Sequence, residues 1–113
     1  MTTFDEYQKR AMSTALWEVR DFSLSPLAYC AMKINGEAGE VAEKIAKSWR
    51  DDRGIVTNDR REAIIAELGD VLWYLTAIAH LLDTSLEHVA QVNESKLASR
   101  LKRGVLGGDG DNR

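Results

Sequence analysis

The sequence has one cysteine, one proline and no long uncharged apolar run, and each shortage limits what the protein can be. Cys30 has no partner for an internal disulfide, and its small apolar neighbours predict a buried, reduced thiol rather than a nucleophile. No apolar run approaches the roughly 20 residues that span a bilayer, and the polar stretch 2–10 lacks the apolar segment of a signal peptide. We therefore expect a cytoplasmic protein with no membrane partner.

The remaining totals predict one small globular domain. The chain has 113 residues, of which 44% are hydrophobic and 29% charged, as is ordinary for a soluble protein. We assign residues 1–104 to the domain and the glycine- and aspartate-rich residues 105–113 to a flexible tail. The net charge of −3 argues against a nucleic-acid partner, because phosphate contacts dominate that affinity.

Apolar residues recur at helical spacing in four segments, and no segment has the period of a strand. The predicted helices run from about Phe4 to Trp17, from Pro26 to about residue 50, from about Asp59 to Leu82 and from Thr84 to Arg103. The fold class is therefore all-α, a compact bundle of about four helices. The third helix is apolar on two sides, so we expect it to lie centrally and to contact another subunit.

A short acidic pattern occurs twice, once in each of the two longest predicted helices. It reads Glu37-Ala38-Gly39-Glu40-Val41 in the first copy and Glu67-Leu68-Gly69-Asp70-Val71 in the second. Acids three residues apart share one face of a helix, so four carboxylates from two packed helices can meet at a common cation. The alternative is that these acids only form solvated faces. For the first copy this alternative is favoured by the charged neighbours Lys33, Glu43, Lys44 and Lys47.

The chemistry of this predicted site favours a hard metal ion. Mg²⁺, or alternatively Mn²⁺, prefers carboxylate oxygens, whereas zinc sites favour histidine and cysteine. His80 and His88 do not stand at the spacing of a di-iron bundle. The central glycines, Gly39 and Gly69, predict close approach of another backbone, since glycine is costly inside a helix.

The fourth predicted helix offers groups that suit phosphate. Asn93, Lys96 and Arg100 project toward roughly one side, where they are candidate substrate-binding residues. The alternative is that the two cations only snorkel near a helix C-terminus. No phosphate-binding loop of the Gly-x-x-x-x-Gly-Lys-Ser/Thr type is present. The aromatic candidates for stacking on a base are Trp17, Trp49, Trp73 and Tyr74.

With these motifs, residues 3–104 resemble the MazG-like nucleoside triphosphate pyrophosphohydrolases, part of the all-α NTP pyrophosphatase group. The family pattern is Glu-Glu-x-x-Glu, a spacer and Glu-x-x-Asp, which Glu37, Glu40, Glu67 and Asp70 match. The segment from Asn93 to Arg100 resembles the family's later Asn-x-x-Lys-Leu-x-x-Arg. Gly36 departs from the pattern, because many members carry the first glutamate of the adjacent pair at this position.

The resemblance implies a nucleoside triphosphate substrate that is cleaved between its α- and β-phosphates to give a monophosphate and pyrophosphate. It implies Mg²⁺ on the four carboxylates, with Glu37 or Glu40 as the catalytic group that orients the attacking water, and assembly as a homodimer or a homotetramer, a dimer of dimers. Two alternatives stay open. One is a dUTPase of the all-α type, and the other is a non-catalytic helical dimerisation or regulatory module.

Overall fold

The computed structural model describes residues 1–17 and 25–113, and these residues form four α-helices and no strand. The helices are α1 (Phe4–Met12), α2 (Pro26–Asp51), α3 (Asn58–Leu81) and α4 (Leu86–Lys102). The predicted all-α class with about four helices is confirmed. Residues 18–24, part of the predicted connection between the first two helices, lie outside the described residues.

Helix α1 begins as its sequence predicts but ends earlier. Thr3 and Glu6 form a capping box in which each side chain binds the other residue's backbone N–H. The predicted end at Trp17 is wrong, because α1 stops at Met12. The hydroxyl groups of Ser13 and Thr14 donate to carbonyls one turn back, at 2.6 and 2.7 Å, and such local bonds compete with continuation of a helix.

The two ends of α2 agree with the sequence-based prediction. The Ser25 hydroxyl caps its start, and Pro26 occupies the first turn, where a missing N–H costs nothing. At the other end Gly54 has a φ of +77°, and its N–H donates to the Ser48 carbonyl at 3.1 Å. The Trp49 ring lies against Gly54, only 3.0 Å from where a Cβ would stand.

Helices α3 and α4 start with caps that the sequence analysis placed one or two residues away. Thr57, rather than Asp59, caps α3 by accepting from the Arg60 N–H. Ser85, rather than Thr84, caps α4. Both hydroxyls occupy the Ncap position, where Ser and Thr satisfy an otherwise unpaired N–H.

Helix α3 is the centre of the fold, because it packs against each of the other three helices. Its buried positions Thr76, Ala77 and Ala79 are small and let neighbouring helices come close, and Cys30 of α2 is fully buried as predicted. Gln8 of α1 ties down the connection between α3 and α4. Its side chain donates to the Thr84 carbonyl and accepts from the Leu86 N–H.

Helix α4 packs on α1 and α3 but not on α2, as far as the described helices show. The apolar pattern of the fourth helix predicts that Val89, Leu97 and Leu101 face inward, but all three are exposed in the single chain, Leu101 by 66%. That prediction is wrong for one chain, because the described helices leave these positions uncovered.

By length and composition, α3 is also apolar enough to cross a membrane. The expectation that no apolar run is long enough to span a bilayer did not include this helix, because two acids interrupt its apolar residues. A core helix of a soluble protein meets the same criteria. The acids are Glu67 and Asp70, which are costly at the middle of a bilayer.

The residues after α4 fold back along its C-terminal turn. Arg100 donates to the Asp111 carbonyl at 2.8 Å, and Arg103 donates to the Arg113 carbonyl at 2.9 Å. Arg100 is buried as a result, and its Nε has no hydrogen-bond partner in the described part of the chain.

Candidate metal and nucleotide site

Three of the four predicted metal ligands meet between α2 and α3. Glu37 on α2 and Glu67 and Asp70 on α3 each offer a carboxylate oxygen, and these oxygens lie within 4.8 Å of one another. The residues 52–57 form a short connection that returns the chain, so the two longest helices pack side by side along their length. The three-residue spacing puts Glu67 and Asp70 on one face of α3, and this face is turned toward Glu37 on α2.

Glu40, the fourth predicted ligand, is exposed and lies outside this group of three. It makes no ion pair or hydrogen bond with any residue that the structure describes. Gly39, beside Glu40, was predicted to allow close approach of another backbone, as was Gly69 on α3. Beyond the backbone of its own helix, nothing in the described residues comes within 4 Å of a Cβ placed at Gly39 or Gly69, so the expected close backbone approach is wrong for the single chain.

Gly36, where many relatives in the resembling family carry a glutamate, also has open space around it. A larger side chain would fit at this position. Steric crowding within the single chain therefore does not explain why this position carries glycine instead of glutamate.

The chemistry of the three carboxylates fits a magnesium-type ion. Oxygens bound to one Mg²⁺ at 2.0–2.1 Å lie at most about 4.2 Å apart, so oxygens within 4.8 Å need only small side-chain rotations to share an ion. The donor set contains oxygen alone, which suits Mg²⁺ or Mn²⁺ better than zinc. Glu37, Glu67 and Asp70 are therefore the residues that would hold it.

Two of the three carboxylates already have a positive partner. The Lys33 Nζ lies 3.3 Å from Glu37 Oε1, and the Lys44 Nζ lies 3.3 Å from Glu67 Oε1. The second pair joins α2 to α3. Both partners lower the repulsion among clustered negative charges, which otherwise opposes packing of the two helices here.

A cavity of about 420 Å³ opens beside Glu37 and Asp70. Its lining comes from the segment that follows α1, from α2 and from α3. The residues are Thr14, Leu16, Trp17, Tyr29, Glu37, Asp70, Trp73 and Tyr74. The cavity therefore has an aromatic wall of Trp17, Tyr29, Trp73 and Tyr74, and it borders two of the clustered carboxylates.

The aromatic rings hold one another edge to face. Trp73 packs at 6.2 Å from Trp17 and at 4.9 Å from Tyr74, between ring centroids. The indole N–H of Trp73 donates to the Thr14 hydroxyl at 2.9 Å. This hydrogen bond and the two ring contacts fix the orientation of Trp73 in the cavity wall.

Two tyrosines interact electrostatically with acids of the group. Burial raises the pKa of Tyr74 to about 12, helped by Tyr29 and by the negative charge of Glu37. Burial also raises the pKa of Tyr7, with a contribution from Asp70. Both phenols therefore stay protonated near neutral pH, and of the two Tyr74 lines the cavity.

The predicted phosphate-binding residues of α4 do not join the acidic group within one chain. Asn93 and Lys96 are exposed, on a helix that does not contact α2 in the described structure. Arg100 is buried beneath the Asp111 carbonyl. The assignment of these three residues to substrate remains a prediction.

Sequence reasoning found Trp17, Trp73 and Tyr74 as aromatic candidates but missed several neighbours. Trp49 is not in the cavity and is 79% exposed at the far end of α2. Tyr29 and Thr14 were not identified, and Lys33 and Lys44 were interpreted as part of a solvated face. For Lys33 a signal existed, since it precedes Glu37 by four residues, which favours an ion pair on a helix.

Comparison with known proteins identifies the family. The family model described as the MazG nucleotide pyrophosphohydrolase domain matches residues 26–105. The chain is 45% identical over 111 residues to the Gene 37 protein of Mycobacterium phage L5, which covers 96% of this chain and 97% of that protein. No solved structure matches significantly.

Proposed function

Because the chain belongs to the MazG nucleotide pyrophosphohydrolase family, we propose that it is a Mg²⁺-dependent enzyme acting on nucleoside or deoxynucleoside triphosphates. The reaction is hydrolysis between the α- and β-phosphates, which gives a nucleoside monophosphate and pyrophosphate. The observation that carries the proposal is the junction of three carboxylates with an aromatic cavity at the α2–α3 interface. One side of the site suits a metal-bound phosphate, and the other suits a base.

The carboxylates have separate roles in this proposal. Glu37, Glu67 and Asp70 hold the ion, and Mg²⁺ bound there would neutralise phosphate charge and lower the pKa of a bound water. Glu40 is exposed one turn beyond Glu37 and has no partner among the described residues, so its oxygens are available to accept a hydrogen bond from water. We assign Glu40 to orienting the attacking water.

The aromatic wall receives the nucleobase. A flat base has an apolar face that stacks on Trp73 or Tyr74, and stacking tolerates different bases. The cavity borders the carboxylates directly, so a base seated there leaves its triphosphate beside the metal ligands. This arrangement supports a nucleotide substrate over an unattached polyphosphate.

The proposal is tested with a panel of standard and damaged triphosphates, with product identification by chromatography. We expect equimolar monophosphate and pyrophosphate from at least one substrate when Mg²⁺ is present. A strong preference for dUTP would assign the protein to the dUTPase type. No hydrolysis of any member, and no calorimetric binding of a non-hydrolysable triphosphate analogue with Mg²⁺, would contradict the proposal and favour a non-catalytic module.

We also propose that the protein works as a homodimer or as a dimer of dimers. The single chain has a radius of gyration of 17.2 Å, against about 13 Å for a compact chain of this length. Exposed apolar residues continue along α3 and α4, including Leu68, Leu75, Leu97 and Leu101. A second copy would cover them and would bring Asn93 and Lys96 near phosphate if its α4 approached the site.

Light scattering at micromolar concentration checks this assembly. We expect two or four times the chain mass of 12.6 kDa. The double variant Leu97→Glu, Leu101→Glu should shift the population toward monomer, because both side chains are exposed in one chain and their loss does not disturb its own packing. A wild-type protein that stays monomeric contradicts the proposal.

An assembly of this kind accounts for the apolar surface of α3 without a membrane. We place the protein in the cytoplasm, where nucleoside triphosphates are available. The acids of α3 agree with this, since they take part in a polar site with α2.

A further inference from the structure

Lys33 and Lys44, the two lysines beside the acidic group, differ from Lys47, which forms another ion pair on α2. Lys47 also lies 3.3 Å from a glutamate, Glu43, but the carboxylate there is 55% exposed. The glutamates paired with Lys33 and Lys44 are only 16% and 19% exposed. Water screens the Lys47 pair, whereas the two pairs at the site act where charges interact more strongly.

Each of these lysines contacts an oxygen of a carboxylate that would bind the metal. An ammonium group and a divalent cation attract the same carboxylate charge, so they compete for it. The ammonium group stands on a flexible four-carbon stem and has three donors, so it can move to another anion without losing its charge. A triphosphate bound through the metal is the anion that would arrive at the same time.

The positions of the two lysines give the bound triphosphate a direction. Lys33 lies on the cavity side, since its Nζ is 5.7 Å from the centre of the Tyr74 ring. Lys44 lies eleven residues later on α2 and pairs across the helices with Glu67, the acid of the group that does not line the cavity. A base in the cavity would therefore put its α-phosphate toward Lys33 and its β- and γ-phosphates toward Lys44.

We propose that Lys33 and Lys44 are exchangeable counter-ions. They neutralise Glu37 and Glu67 when the metal is absent and bind the nucleotide's phosphate oxygens when it is present. Lys33 then contacts the α-phosphate, and Lys44 contacts the pyrophosphate that leaves. This inference rests on the proposed nucleotide pyrophosphohydrolase function and adds two substrate-binding residues that the acidic motif does not contain.

The proposal predicts opposite effects on two binding constants. Lys44→Met should bind Mn²⁺ or Mg²⁺ alone several-fold more tightly, because a competing positive charge is gone. The same variant should bind a non-hydrolysable triphosphate analogue with Mg²⁺ about tenfold more weakly, since a charge-assisted hydrogen bond is lost. Lys33→Met should show both effects and should also weaken binding of the monophosphate product, which Lys44→Met should leave nearly unchanged.

Isothermal titration calorimetry on the full chain measures all three constants. Lys47→Met is the matched control, because it removes an ion pair of the same length from the same helix without touching the site. Lys44→Arg keeps the charge and should retain analogue binding within a few-fold. Thermal unfolding followed by circular dichroism verifies that each variant is folded.

The outcomes separate this proposal from the function on which it rests. If the wild type does not bind the analogue with Mg²⁺, the proposed function fails. If the wild type binds and hydrolyses triphosphate while both lysine variants behave like Lys47→Met, only the counter-ion proposal fails. Weaker metal binding in Lys33→Met or Lys44→Met also overturns it, because that result would make the lysines supports of the metal ligands rather than competitors.

Discussion

Asp70→Asn and Glu67→Gln should each lower the rate of pyrophosphate release by about three orders of magnitude. Each substitution preserves the size of the side chain and removes one negative charge from the group of three oxygens within 4.8 Å. A metal ion that neutralises phosphate and activates water contributes several kcal/mol to the transition state, and a loss of about 4 kcal/mol corresponds to roughly a 10³-fold slower reaction. The measurement is single-turnover pyrophosphate release at saturating Mg²⁺.

Glu62→Gln is the control for these two substitutions. Glu62 lies earlier on α3 and pairs with Arg61 at the exposed surface, where the charge has no role in the site. Its rate should match the wild type. If Asp70→Asn retains wild-type activity, the carboxylate group is not the metal site.

Trp73→Ala should raise the KM for nucleotide about 5- to 150-fold and change kcat much less. Stacking of one base on an aromatic ring contributes about 1–3 kcal/mol, and Trp73 is held in the cavity wall by its bond to Thr14 and by two neighbouring rings. Since this contact is the same in the ground state and the transition state, its loss appears in KM. Steady-state kinetics with the best substrate of the panel measure both constants.

Trp49→Ala is the matched control, because it removes the same side chain from an exposed position outside the cavity. Trp73→Phe retains a stacking ring and should recover most of the affinity. An equal rise of KM in Trp49→Ala and Trp73→Ala would show that the aromatic cavity does not receive the base.

Sequence alone predicted α2, α3 and the carboxylates that they bring together. The reason is physical, since a three-residue spacing fixes two side chains on one helical face whatever the rest of the chain does. Two such pairs on helices joined by a short connection have few other ways to pack. Glu40 shows the limit of this reasoning. Which acids meet depends on how each helix is rotated about its own axis relative to its neighbour, and the spacing within one helix does not determine that rotation.

Features that depend on competition or on other chains were not predictable in the same way. The end of α1 depends on whether two hydroxyls bond locally, which the apolar pattern does not reveal. The inward face expected for α4 assumed that one chain buries all its apolar residues. The exposed Leu97 and Leu101 show that the single chain leaves part of this apolar face uncovered.

The lysines were misjudged for a related reason. In the sequence, Lys33 and Lys44 favoured a solvated face around Glu37. In the structure they neutralise the half-buried acids of the site, one of them across the helix pair. A charged residue beside an acid therefore indicates a site as readily as a solvated surface when the acid is half-buried and belongs to a cluster of acids.

The central claim is that the carboxylates of α2 and α3 hold the ion with which a triphosphate is cleaved between its α- and β-phosphates. The most direct measurement quantifies pyrophosphate, orthophosphate and monophosphate from one good substrate, for the wild type and Asp70→Asn, with Mg²⁺ and with EDTA. The expected result is equimolar monophosphate and pyrophosphate from the wild type with Mg²⁺, and almost none with EDTA or from Asp70→Asn. Orthophosphate as the first product, or pyrophosphate release that persists in EDTA or in Asp70→Asn, would contradict the claim.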